Sequence, residues 1–551
     1  MDDNSTVRAV AFDYQAVLRP PGRAYDGIAD LLRWLDEHDI AFVLLTSDPF
    51  DAEAALTAAG LPVPVLHLSR DDIPGRPARG SGAWLHAVAD RLELRTNQIA
   101  MVGTSEWDWR TGINAGVVHV HACWANRVRD NKGMVTLLAE EPAGVGEILE
   151  YFFLDEPRWA FTHDDTDRSF KIRSLLPPNA RFPRDAGWTF ELQDVFTRGH
   201  TITVGAQDAR DILMLRLLSS AYLDGTLPHR SLFCVYPSSS PGRVSRQLAG
   251  FLTKAKAMVG SYYRESLLER VTQAPDTSLE RVKRNRGQAS TADISIAAQA
   301  RTVRINPGHR GKLTGKTVVV FDDFTTEGTS IEWARTLLLR AGAAEVIALT
   351  VGKYGSRHTR YELRPGTAVD PFDVNDLTAA DFVKTTPAGG TGEGPADSLT
   401  AAMQHFIAAA QDQPAAAPGP APVSHNGEAR RRPPAGVRSA MTSYKNARQR
   451  HLADMLTHIR DQEVYPLVWR GEYLIPAGER TTTALWWIAL PGQVEHWYKT
   501  AEAERLVGGI CLASAIVWEP VAAPGGAAQL TQALARMEQR RRASHVARST
   551  T

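Results

Sequence analysis

Residues 317–330 read Thr-Val-Val-Val-Phe-Asp-Asp-Phe-Thr-Thr-Glu-Gly-Thr-Ser, and they constrain the fold more than any other stretch. Val318 to Phe321 is a continuous apolar run, the mark of a strand buried on both faces. It ends in two adjacent acids, Asp322 and Asp323, and a short loop of hydroxyl residues and glycine follows, Thr325 to Ser330. Ile331, Ala334, Leu337 and Leu338 then recur at helical spacing, with Gly342 beyond the end. A strand, a loop of small residues and a helix start make a phosphate cradle, because the first N–H groups of a helix lack intrahelical partners and its dipole favours an anion there. The two carboxylates beside such a cradle are placed to accept hydrogen bonds from sugar hydroxyls.

This stretch resembles the phosphoribosyl-diphosphate (PRPP) motif of type I phosphoribosyltransferases. The resemblance implies that Asp322 and Asp323 hold the ribose hydroxyls, and that Thr325, Thr326, Gly328, Thr329 and Ser330 hold the 5′-phosphate. The residue before the loop glycine is usually Thr in that family and is Glu327 here, so its side chain must face solvent to spare the phosphate. The likeness extends over roughly 160–385. Leu232 to Tyr236 is a second buried-strand run, followed by Pro237-Ser-Ser-Ser-Pro-Gly242 and a helical pattern. By resemblance, Ser238, Ser239, Ser240 and Gly242 form the pyrophosphate loop, with Arg243 and Arg246 nearby. Between the two loops, Lys283, Arg284 and Arg286 crowd together where the family carries a mobile hood, and they are expected to assist pyrophosphate loss. The run Leu267-Leu-Glu-Arg-Val up to this cluster is similar to the ComF-type branch. The implied cofactor is Mg²⁺, held through PRPP and water with no direct protein ligand. The implied activity is ribosyl-5-phosphate transfer to an unidentified, nitrogenous acceptor. Two other functions fit the same residues: a PRPP- or nucleotide-sensing regulator without turnover, and a transferase joined to a phosphatase.

The phosphatase alternative comes from the N-terminal part. Val7 to Phe12, Ala41 to Leu45 and Ile99 to Val102 read as strands, with helical patterns between them. Residues 5–130 resemble the haloacid dehalogenase (HAD) family. Asp13 matches the nucleophile, Gln15 stands where the general acid belongs, and Thr46 or Ser47 matches the phosphate-binding hydroxyl. Thr104 takes the place of a metal-holding acid, with Asp108 retained downstream, and Arg76 or Arg79 is offered for the family's lysine. Gln donates no proton in the catalytic sense, so this site is expected to be degenerate.

A chain of 551 residues exceeds one hydrophobic core. The 62 basic and 62 acidic residues balance, which argues against a global pull toward nucleic acid or anionic membrane. Cys123, Cys234 and Cys511 lie far apart, without metal-like spacing. No apolar run nears the roughly 20 residues that span a bilayer, and the acidic N-terminus lacks an apolar signal segment, so a cytoplasmic protein is expected.

The expected fold is α/β, with two doubly wound parallel-sheet domains and a small C-terminal α+β domain. The expected map is a HAD-like domain over 1–148, a phosphoribosyltransferase-like domain over 149–385, a Pro/Ala/Gly-rich linker over 386–436, an accessory domain over 437–538 and a disordered tail over 539–551. Within the linker, Leu399 to Ala410 reads as a short helix. A basic stretch, Arg430 to Arg450, precedes the tryptophan-bearing runs around Trp469, Trp486, Trp487 and Trp497 and offers a route to nucleic acid. The sequence sets no oligomeric state.

Overall fold

The structure, a computed structural model, describes residues 6–412 apart from 50, 127–135, 185–186, 198–200, 206, 275–292 and 294, together with three strands farther on. The chain divides into two compact units, Met1–Gly419 and Pro420–Thr551.

In the first unit, six strands form a wholly parallel sheet: β1 Ala9–Asp13, β2 Ala41–Leu45, β3 Leu66–Leu68, β4 Ile99–Gly103, β5 Val118–Ala122 and β6 Leu137–Ala139. Their order is β3-β2-β1-β4-β5-β6. The chain leaves β1 to one side, then returns to β1's other flank with β4, so the order reverses between β1 and β4.

A seven-stranded sheet follows: β7 Phe161–Asp165, β8 Phe170–Leu176, β9 Leu232–Val235, β10 Tyr262–Tyr263, β11 Thr317–Thr325, β12 Glu345–Lys353 and β13 Gly390–Thr391. Its order is β10-β9-β11-β12-β8-β7-β13. The first five are parallel neighbours, and β7 and β13 close one edge in antiparallel fashion. Here the reversal falls between β9 and β11. In open α/β sheets the crevice outside the carboxyl ends of strands at such a reversal is where ligands sit. The apolar runs read from the sequence as strands are buried in these sheets, Val318 to Phe321 at 1% exposure or less.

Helices flank both sheets, among them α1 Glu106–Ala115, α2 Ala143–Phe152, α3 Ala209–Leu223, α4 Thr329–Arg340 and α5 Ala396–Asp412. Twelve of the 15 residues of α3 are buried, as a helix apolar around most of its circumference must be. One apolar cluster runs from Val10 and Phe12 of the first sheet through Leu149, Leu213 and Leu217 to Val319 and Ile347 of the second. Tyr222, at the end of α3, donates its hydroxyl to the carbonyl of Gly116 at 3.0 Å. Asn97 donates to the Tyr222 and Leu223 carbonyls at 3.1 and 2.8 Å.

Two boundaries differ from those expected. The division at 148/149 falls inside α2, which is one continuous helix. The stretch read as linker from 386 is folded as far as Asp412: β13 pairs with β7, and Leu399, Ala402 and Met403 of α5 are buried. Glycine permits this, because a Cβ on Gly389 would lie 2.5 Å from the Phe161 ring.

The second unit contains a three-stranded antiparallel sheet, Leu467–Tyr473, Thr483–Ala489 and His496–Lys499, in which Trp469 stands opposite Trp487 and Trp486 opposite Tyr498. The basic stretch 430–450 and the tail 539–551 lie outside the described residues. Among the described residues no helix is long and apolar enough to cross a membrane.

Candidate functional site

The second sheet brings two predicted loops together. Val235 of β9 is in register with Phe321 of β11, and the Tyr236 N–H donates to the Phe321 carbonyl at 2.9 Å. The Ser238–Gly242 turn and the Asp322–Ser330 segment therefore leave neighbouring strand ends at the reversal point. Pairing with β12 carries β11 on to Thr325, so both acids lie within the strand's last turns of pleat, and Thr325 is buried rather than in a loop. Asp322 and Asp323 are half-buried. The Asp323 N–H donates to Asp322 Oδ1 at 3.0 Å, and the Phe324 N–H to Asp323 Oδ1 at 2.7 Å. Burial, and then the neighbouring Asp323 carboxylate, hold the Asp322 carboxyl well above the usual range, against the pull of Arg270.

The turn into α4 needs Gly328. Its φ is +84°, and a Cβ there would lie 2.4 Å from Nδ1 of His358. Thr329 and Ser330 open the helix, where orphan N–H groups gather. Glu327 is exposed.

The turn is braced from beneath by residues that sequence reasoning missed. Glu332, fully buried in the first turn of α4, accepts from Arg168 Nη2 at 2.9 Å and Arg335 Nε at 3.1 Å, and pairs with His358 Nε2 at 2.9 Å. Burial would raise its pKa, but the His358 hydrogen bond and the Arg335 and Arg168 charges outweigh this and bring it down to about 2. The Lys353 ammonium, at the end of β12, donates to the carbonyls of Thr326, Tyr354, Gly355 and Arg357.

In the Ser238–Gly242 turn, the Ser238 N–H and hydroxyl both donate to the Arg243 carbonyl, at 2.9 and 3.1 Å, and the Gly242 N–H donates to the Arg270 carbonyl at 3.1 Å. Ser238, Ser239 and Ser240 are half-buried, and Gly242 is exposed with φ +64°. Arg270 is a further residue not singled out from sequence. Its guanidinium donates to the Ser238 carbonyl at 2.6 Å and to Gln299 Oε1 at 3.0 Å, and that same oxygen accepts from the Tyr236 hydroxyl at 2.8 Å. This buried network ties the first loop to Tyr236 and Gln299, and the Arg270 charge also acts on Asp322. Lone charged residues at amphipathic spacing carry no signal that would have found Arg270, Glu332 or Lys353. The expected hood residues Lys283, Arg284 and Arg286 lie outside the described residues, between the Leu268–Arg270 and Val303–Ile305 ribbon strands.

In the first sheet, Asp13 ends β1 next to the end of β4. Its Oδ1 accepts from Arg79 Nη2 at 2.7 Å, and its Oδ2 from the Gln15 N–H at 3.2 Å and the Thr104 hydroxyl at 3.3 Å. Burial and the Asp108 charge push its pKa up to about 6, against Arg79. The two arginines offered from sequence part company: Arg79 enters the site, whereas Arg76 is exposed and pairs with Asp71. Asp108 Oδ2 caps α1, accepting from the Thr104 and Ser105 N–H groups at 3.1 Å each and the Ser105 hydroxyl at 2.7 Å. Gly103 permits this crowding, since a Cβ there would lie 2.3 Å from that of Asp108. The Thr46 hydroxyl bonds to His67 Nε2 at 2.9 Å, Ser47 is half-buried and Gln15 is exposed.

No protein-family profile and no curated protein matches the chain. Among solved structures, the N-terminal part is similar to one described as a haloacid dehalogenase-like hydrolase from Bacteroides fragilis, at 11% identity over 21% of this chain and 87% of that one, with a TM-score of 0.19. It is also similar to one described as a phosphoglycolate phosphatase from Lactobacillus plantarum, at 14% identity over 26% and 99% of the two chains, with a TM-score of 0.22. A third is CbbY from Rhodobacter sphaeroides in complex with phosphate, at 14% identity over 25% and 96%, with a TM-score of 0.22.

Proposed function

We propose that the second sheet binds PRPP and transfers its ribosyl-5-phosphate group to a nitrogenous acceptor. The observation that carries this reading is the pairing of two loops at the strand-order reversal: adjacent acids, Asp322 and Asp323, lead into a glycine-hinged helix start, and a serine-rich turn lies on the neighbouring strand end. The acids suit the two ribose hydroxyls. The N–H groups opening α4, with Thr326, Thr329 and Ser330, suit the 5′-phosphate.

In the reaction the bond between C1 and the pyrophosphate oxygen breaks, and its electron pair leaves with pyrophosphate. The lone pair of the acceptor nitrogen forms the new bond to C1, and the proton of that nitrogen is lost to solvent or a base. Two acids side by side repel one another, and the water shell of a hard cation would relieve that repulsion. Mg²⁺ carried in by the diphosphate would neutralise charge on the leaving group. The chain's own part is to orient the sugar on the acids and hold the phosphate on amides.

Titration of the full chain with PRPP by calorimetry, with and without Mg²⁺, tests the ligand. Pyrophosphate release with a panel of bases tests the transfer. Binding without release from any base would assign the protein to PRPP sensing. Absence of binding would remove both readings. The first sheet has the haloacid dehalogenase-like arrangement without its general acid, and we assign it no phosphatase turnover.

A further inference from the structure

We infer that the first sheet's site carries its cation within its own chain: Arg79, with Thr104 in support, takes the seat of a divalent metal ion at Asp13, and the site binds none. The resemblance of residues 5–130 to the haloacid dehalogenase family implies such an ion, but the residues present do not fit one.

The carboxylate oxygens are already engaged. Asp13 Oδ1 accepts from Arg79 Nη2 at 2.7 Å. Asp13 Oδ2 accepts from the Gln15 N–H at 3.2 Å and the Thr104 hydroxyl at 3.3 Å. Asp108 Oδ2 takes three donors from Thr104 and Ser105, and its Oδ1 faces Arg79 Nε at 3.8 Å. A magnesium ion wants near-octahedral oxygen ligands with at least one or two carboxylates free to bind it. Where an acid would stand at the end of β4, Thr104 presents a hydroxyl, and that hydroxyl donates to Asp13 rather than accepting a metal. Among the described residues no group of three or more His, Cys, Asp and Glu side chains is placed to hold a metal ion.

The guanidinium is also fixed. Its side chain is 10% exposed, stacks over the Trp84 ring at 4.6 Å and donates to the Leu45 carbonyl at 3.2 Å. A dication approaching Asp13 would meet a fixed positive charge already paired with it.

Mn²⁺ titration of the full chain, followed by electron paramagnetic resonance of the free ion, decides the matter. The parent carries Asp322→Asn and Asp323→Asn, so that the second sheet's acids contribute nothing. The expected result is that adding Asp13→Asn to this parent changes no Mn²⁺ binding. Adding Thr104→Asp with Arg79→Gln should create one site per chain, at least tenfold tighter than any in the parent, that Asp13→Asn abolishes. An Asp13-dependent Mn²⁺ site in the parent would overturn the inference. So would a folded Thr104→Asp/Arg79→Gln chain that gains no site. Should that double variant fail to fold by circular dichroism, the parent against its Asp13→Asn derivative decides alone.

Discussion

At the end of the Ala9–Asp13 strand the carboxylate meets a guanidinium at 2.7 Å, and in the Thr317–Thr325 strand the Asp322 carboxyl accepts from the Asp323 N–H at 3.0 Å while the Asp323 charge pushes its pKa up. Both acids stand where a parallel sheet reverses its strand order, the position at which α/β folds place ligands. The topologies match and the electrostatics diverge. In the first sheet, Arg79 answers Asp13 and lies 3.8 Å from Asp108 Oδ1, while Asp108 Oδ2 serves a helix cap. In the second, the nearby arginine, Arg270, directs hydrogen bonds to Ser238, Thr302 and Gln299 and pulls on Asp322 by its charge, yet the Asp322 carboxyl stays well above the usual range. A reversal point is thus a place, and its chemistry depends on whether the chain neutralises the charge it puts there.

The contrast is sharpest where ligand binding is measured. Asp322→Asn with Asp323→Asn is expected to weaken Mg²⁺-dependent PRPP binding at least 100-fold by calorimetry. If Asp13→Asn does this instead, the roles of the two sheets are exchanged.

Glu332→Gln should come next. It leaves the buried Arg335 without its anion, while Arg168 keeps Asp165 at 3.2 Å, a loss of about 3–5 kcal/mol in denaturant unfolding. The pH dependence follows from the folded pKa of about 2, against an ordinary value of 4.5. The stability Glu332 supplies is fully present above 4.5 and is lost as pH falls toward 2, so the gap between wild type and Glu332→Gln should close over that window. A gap that widens on acidification would refute the assignment of Glu332 as the buried anion beneath the loop.

Gly328→Ala is expected to cost about 2–4 kcal/mol from left-handed backbone strain and the contact with His358, and to weaken PRPP binding with it. The smallest effect belongs to the first sheet. A generic phosphoester should show no turnover that Asp13→Asn removes. Turnover that vanishes with Asp13→Asn would restore a phosphatase and dissolve the contrast.

How much of this was legible from the residues depends on whether the signal was local. Continuous apolar runs such as Val318 to Phe321 and Ala41 to Leu45 announce strands because burial on both faces leaves no room for alternation. The place of Asp322 and Asp323 in the strand could be read because they directly follow the apolar run. Arg79 could only be offered beside Arg76, since the choice depends on which side chain the chain brings back across 66 positions to Asp13. Arg270 and Glu332 were invisible for the same reason: partners such as Ser238, Gln299 and Arg168 are distant in sequence. Residues 387–394 were read as linker on glycine content, where tertiary packing overrode composition, whereas the helix read at Leu399 to Ala410 lies within Ala396–Asp412. Gly389 lies against Phe161, and a Cβ on Gly394 would lie 2.1 Å from the Leu175 carbonyl. These glycines mark close approach, not freedom.

Helix α2 runs unbroken across the junction between the sheets, and the apolar cluster it joins belongs to both. Neither sheet can be excised without stripping the other of its covering, so heating should melt Met1–Gly419 in one transition rather than two. The first sheet is thereby a foundation for the second, whether or not its own site handles a substrate.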